Sequence, residues 1–119
     1  MADEIQMTAR LYASKNGAYL PSVTYTKSAT MVGTDMGSQT QIIGLTVEAL
    51  DVPVDVSSPY KLLISNLDNT NYVELGFVSG TYTMRIPAGE TLLIPCVSAT
   101  LYLLANTSAV TVQATFCEI

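Results

Sequence analysis

The chain contains no histidine. That absence removes the commonest general base, the Ser-His and Cys-His nucleophilic pairs and most transition-metal sites. Carboxylates are what remain for acid–base work. Asp51 and Asp55 lie in a proline-containing connection, Asp68 in a turn, and Glu74 and Glu90 near expected strand ends. Solvated acids normally occupy such positions, whereas a catalytic pair needs surroundings that push two pKa values apart. Asp35-Met36-Gly37 is a partial match to the Asp-Thr/Ser-Gly of aspartic proteases, but its middle hydroxyl is missing. Asp68-Asn69-Thr70-Asn71 offers oxygens to Ca²⁺ without the ligand spacing or distal glutamate of an EF-hand loop. It is expected instead to be a turn in which Asp68 and Asn69 accept from nearby backbone N–H groups. Cys96 and Cys117 cannot close a zinc site without histidine, and both are expected buried and reduced. Gly76, Gly80 and Gly89 are separated by strands and form no phosphate-cradling loop. Asn106-Thr107-Ser108 matches the glycosylation sequon and is set aside for want of a secretion signal. The expectation is a chain that is not an enzyme, with no catalytic residue, no metal site and no cofactor.

What must position these residues is a set of strands. Ile5, Met7, Ala9, Leu11 and Ala13 alternate with Gln6, Thr8, Arg10, Tyr12 and Ser14, a period of two that buries one strand face and wets the other. Asn16-Gly17 tolerates positive φ and marks a turn. A second extended stretch covers 20–32, with Pro21 placing its start at an edge or a strand end. Residues 33–38 read as loop, 40–47 as strand, 48–50 as a single helical turn, and 51–58 as a long connection. Residues 60–66, apolar on both faces, fit a central strand packed on two sides. The turn at 67–71 should return the chain as a hairpin to 72–77. Further strands are expected at 82–86, at 91–94 closed by Pro95, and as a last pair at 100–105 and 110–117. About eight strands with turns every ~8 to 12 residues predict a single antiparallel β-sandwich over residues 1–119, jelly-roll or Ig-like in order.

Composition bounds the function. Hydrophobic residues make up 49% of the 119 residues and charged residues only 13%, against a usual charged share of roughly 25%. Serine and threonine carry most of the polar load, so part of the surface can be desolvated cheaply against partners. The net charge is −5, and the only cations are Arg10, Lys15, Lys27, Lys61 and Arg85. No basic stripe exists to neutralise phosphates or dock on an anionic membrane. Apolar runs fall far short of the ~20 residues that span a bilayer. The acidic start, Met1-Ala2-Asp3-Glu4, lacks the layout of a secretion signal, which points to synthesis in a cytoplasm. Among the seven tyrosines, Tyr12, Tyr60, Tyr72, Tyr82 and Tyr102 fall on expected strands. They are read as half-buried packing, with a sugar-binding platform as the alternative.

Ile64-Ser65-Asn66-Leu67-Asp68-Asn69-Thr70-Asn71-Tyr72-Val73-Glu74-Leu75-Gly76 resembles a segment of small virion proteins of tailed bacteriophages. There, an Asn-Leu-Asp-x-x-Asn turn is followed by a strand ending in Glu-x-Gly. Arg85-Ile86-Pro87-Ala88-Gly89-Glu90 and Leu101-Tyr102-Leu103-Leu104-Ala105-Asn106-Thr107 continue the resemblance in the same order. Gln41-Ile42-Ile43-Gly44-Leu45-Thr46-Val47-Glu48-Ala49-Leu50 fits it as well. The resemblance implies a phage structural protein, made in the bacterial host cytoplasm and located in the virion. A capsid cement or decoration subunit ranks first, a neck or tail component second, and a carbohydrate-binding β-sandwich module third. Expected partners are other virion proteins and further copies of the chain in a closed symmetric oligomer such as a trimer, with no nucleic acid and no membrane.

Overall fold

The computed structural model describes residues 4–31 and 33–119. Met1 to Asp3 of the acidic start and Val32, the expected end of the second extended stretch, lie outside the described residues. The fold is all-β, with ten strands and no helix among the described residues. Among the described residues no helix is long and apolar enough to cross a membrane. The chain divides into two compact units, residues 1–32 and 33–119.

The first unit is a hairpin of β1 (Ile5–Lys15) and β2 (Ala18–Ala29). Asn16 and Gly17 join them with φ of 50° and 82°, the two left-handed residues that a two-residue hairpin turn requires. Pro21, with no N–H for the ladder, sits where the register shifts between Leu11 and Ala13. Ala9 faces Tyr25, Leu11 faces Val23 and Ala13 faces Leu20, so one side of the ribbon is apolar. The other side pairs Thr8 with Thr26 and Arg10 with Thr24, and Arg10 Nε donates to Ser22 Oγ at 2.8 Å. The expected alternation is present, but the apolar side is open: Leu11 is 67% and Tyr25 74% exposed.

The second unit is the sandwich. It comprises β3 (Met36–Ile43), β4 (Glu48–Ala49), β5 (Tyr60–Asn66), β6 (Val73–Gly76), β7 (Met84–Ile86), β8 (Thr91–Val97), β9 (Tyr102–Ala105) and β10 (Val110–Glu118). One sheet has the order β3-β10-β5-β8, the other β4-β9-β6-β7, with every pairing antiparallel. First strand pairs with last, second with next to last, and so inward to the β6–β7 hairpin. That is one long hairpin rolled up so that successive pairs fall in alternate sheets, which is a jelly roll. Between the sheets lie Ile43, Leu62, Ile64, Val73, Leu75, Leu103, Val110, Val112 and Phe116, all fully buried. The Tyr60 ring meets Phe116 edge-on at 5.2 Å.

Several local expectations are corrected by this topology. Residues 67–71 do not close a hairpin, because β5 and β6 belong to different sheets. The same holds for β9 and β10, expected as a last pair. Met36, Gly37 and Ser38, read as loop, are strand because Cys117, Phe116 and Thr115 pair with them. Glu48 and Ala49 form a strand against Leu103 and Tyr102 in place of a helical turn. The strand at 91–94 runs on through Pro95, which an edge strand tolerates because its missing donor faces no neighbour. There the ladder with β5 shifts register, and Cys96 is exposed, not buried. The outward side of β5 is uncovered by any second layer, with Leu63 41% exposed.

Candidate interaction surface

The acids singled out in the sequence are not brought together. Among the described residues no group of three or more His, Cys, Asp or Glu side chains could hold a metal ion. Glu74 and Arg85 approach to 3.9 Å at the surface, and Arg85 lies over the Tyr72 ring at 4.0 Å. Asp35, of the protease-like triplet, uses its carbonyl to accept from the Glu118 N–H at 3.1 Å, while Met36 and Gly37 belong to β3. Two acids that were not singled out in the sequence have structural work. Glu48 Oε2 accepts from the Gly44 N–H at 2.9 Å and Glu48 Oε1 from Gln41 Nε2 at 3.2 Å, bracing the crossing from β3 to β4. Glu118 is buried, and its Oε2 accepts from the Ser57 N–H at 2.7 Å.

The patterned turn serves the backbone. Asp68 Oδ2 accepts from the N–H groups of Asn71 at 2.6 Å and Thr70 at 3.0 Å, and from the Thr70 hydroxyl at 3.3 Å. The Asn71 and then the Thr70 backbone donors hold the Asp68 carboxyl below the usual carboxylate range. Its stabilisation is therefore complete above the unfolded value of about 3.9 and lost as pH falls through the lowered folded value. Asp68→Ala is expected to lower the thermal midpoint at pH 7, with the gap to wild type narrowing on acidification. Asp68→Asn, which keeps an acceptor oxygen, should lose less. EDTA should move neither midpoint, and a large EDTA effect confined to wild type would make the turn a calcium site. Asn69, expected to act with Asp68, is not the second partner: buried Asn66 takes that role.

The feature that could do something lies on the outside of the β3-β10-β5-β8 sheet. Cross-strand register places Thr40, Gln113, Ser65 and Thr91 in one row, and Ser38, Thr115, Leu63 and Leu93 in the next. Met36, Cys117 and Lys61 follow, and Ile42 pairs with Thr111 at the other end. Hydroxyls satisfy one another along these rows: Ser38 and Thr115 at 3.1 Å, Ser65 and Thr91 at 2.9 Å. Lys61 is the one charged side chain in the rows, and its ammonium donates to the Pro95 carbonyl at 3.1 Å. Burial pushes the Cys117 thiol up, against a smaller downward pull from Lys61, so it stays protonated and a weak nucleophile. A face of hydroxyls and methyls with many of its polar groups already paired to one another loses little when water leaves it. The outer side of the second sheet is different, carrying Glu74 and Arg85 opposite each other.

The tyrosines do not form a platform on the sandwich. Tyr60 is in the core, where burial raises its pKa; Tyr72 is capped by Arg85; the Tyr82 hydroxyl is buried without a hydrogen-bond partner; and Tyr102, opposite Gly76 on β9, is half-buried and is left as a single ring. The exposed ones, Tyr12, Tyr19 and Tyr25, are on the hairpin. At one end of the sandwich, Leu50, Val56, Tyr60, Ser98, Thr100 and Leu101 line a cavity of about 350 Å³ that contains no charged side chain. Comparison with known proteins matches the chain to no family profile, to no curated protein and to no solved structure.

Proposed function

We propose that the chain is a non-enzymatic structural subunit of a phage particle, foremost a cement or decoration protein that stabilises the head by covering its seams. The observation that carries this reading is the outer face of the β3-β10-β5-β8 sheet, whose rows hold hydroxyls and apolar groups and a single charge, Lys61, a face suited to being covered by other chains. The resemblance of residues 41–119 to small virion proteins supports it, and so does the open apolar side of the hairpin. The jelly roll itself serves capsid and lectin domains alike, so the fold does not choose between them. The faces favour the former reading: stacking on a sugar needs a flat exposed ring, whereas Tyr60 and the Tyr82 hydroxyl are buried, Tyr72 lies under Arg85 and Tyr102 is half-buried.

The test is the copy number and position of the chain in purified intact particles. A cement subunit should be present at on the order of hundreds of copies, following capsid symmetry, and a neck or tail component at about six or twelve. Particles stripped of the chain should also lose their contents at lower temperature. Absence from particles, or retention on a glycan column in its place, overturns the reading.

A further inference from the structure

We propose that the β1–β2 hairpin is an exchange arm whose apolar side covers the hydroxyl-rich outer β3-β10-β5-β8 face of a second copy of the same chain. This deepens the assembling-subunit reading above and rests on it. A two-stranded ribbon is at best marginally stable alone in water. Here it carries Leu11, Leu20, Val23 and Tyr25 open on one side. Covering that side gives the ribbon the second layer it lacks.

Charge selects the occupant. Residues 5–29 contain Arg10, Lys15 and Lys27 and no acid, a charge of +3. Residues 33–119 contain eight acids against Lys61 and Arg85, a charge of −6. Arm against arm would set like charges together, whereas arm against sandwich sets opposite ones together. Asp35 precedes β3 and Glu90 precedes β8, so they stand at diagonally opposite corners of that sheet, whose outer rows carry Lys61 as their one charge. At ~3.4 Å per residue and ~4.8 Å per strand, those corners are about 25 Å apart. Lys15 at the arm's tip and Lys27, opposite Met7, are separated by about 27 Å on the same scale. The arm's two ends thus match the two acidic corners.

Area agrees. A ribbon of 11 residues, about 37 Å long and ~10 Å wide, covers roughly 370 Å² of a partner. Two copies exchanging arms make two such contacts with two sides each, about 1,500 Å² in total, within the range of stable interfaces.

The test uses the full chain carrying Val23→Cys on the arm and Leu63→Cys on the face, with Cys96→Ser and Cys117→Ser. Isotopically labelled and unlabelled protein are mixed, dissociated and reassociated, then joined with a short bis-maleimide. Peptide mass spectrometry should find position 23 linked to position 63, with about half of the links joining labelled to unlabelled chains. Links only within one isotope, links between position 23 and position 23, or a monomer in solution each overturn the proposal. In parallel, Leu11→Asp with Val23→Asp should weaken self-association on the order of 100-fold while the β circular dichroism stays. Unchanged association also overturns it. If mixed links form but the chain is absent from particles, the virion reading fails and the arm stands; particle incorporation without mixed links fails the arm alone.

Discussion

Asn66→Leu is expected to lower the unfolding free energy by about 3–5 kcal/mol, since each buried polar group left without a partner costs ~1–3 kcal/mol. Asn66 is 1% exposed at the end of β5. Its Nδ2 donates to the carbonyls of Asn71 at 2.9 Å and Ile86 at 3.0 Å, and its Oδ1 accepts from the Asp68 N–H at 2.9 Å. Its backbone is engaged as well, donating to Glu90 O and accepting from Gly89 N–H. One side chain thus ties the β5–β6 crossing to the β7–β8 crossing. Leucine fills the volume but leaves the Ile86 carbonyl buried without a partner, and the part-buried Asn71 carbonyl and Asp68 N–H lose theirs. A midpoint drop of roughly 10–20 °C in thermal denaturation is the corresponding observable. Asn66→Asp should be no better, because it removes both donors and brings a charge into the core. A drop under about 1 kcal/mol for Asn66→Leu would mean that the crossings hold without it.

Gly76→Ala is expected to cost about 2–4 kcal/mol, the range for forcing atoms into a packed site. After Gly76 the chain turns at Gly80, and the Thr81 carbonyl comes back over the Gly76 α-carbon. A methyl there would overlap the Thr81 oxygen, with the Thr81 carbonyl carbon at 3.2 Å and the Tyr82 α-carbon at 3.3 Å. All of these are main-chain atoms, so no side-chain rotation relieves the clash. The β6–β7 pairing must open, and amide exchange should quicken at Thr81 and Thr83, whose N–H groups donate to Val78 and Leu75. Gly80→Ala is the control: its φ of +86° strains alanine, but nothing lies within 4 Å, so about 1 kcal/mol is expected. Should Gly80→Ala prove the costlier of the two, close packing at Gly76 is not what requires glycine.

What could be read in advance was local. The alternation at Ile5 to Ala13 and the Asn16-Gly17 turn specify the hairpin because both the pattern and its consequence lie within a few residues. Much of the strand content of the rest followed from the same period, but not at residues 48–50, where a helical turn was expected and Glu48–Ala49 is strand. Sheet membership did not follow, since pairing Ile43 with Val110 depends on residues far apart in the chain. Hence residues 67–71 read as a hairpin turn when they are a crossing. Alternation also says which side of a strand is apolar, not what covers it, so the open side of the hairpin was invisible. The outer face was foreshadowed only in bulk, by low charge and abundant hydroxyls. Asn66 gave no signal, for it stands beside Asp68, Asn69 and Asn71 in what looks like ordinary turn composition. Glu48 and Glu118 were hidden for the same reason: an isolated acid in sequence looks solvated.

The rolled hairpin also sets the order in which the molecule can come into being. β3 has one neighbour in its sheet, β10, and its residues Ile43 and Met36 meet Val110 and Cys117, 67 and 81 positions later. A ribosome therefore releases β3 long before anything exists for it to bond. β5, too, lacks a partner on one side until β10 is made. Such distant closures fold on the slow side, milliseconds to seconds for β topologies of this kind. Until the last strand slots into the middle of its sheet, the growing chain carries two unpaired β edges, the surfaces on which nascent proteins aggregate.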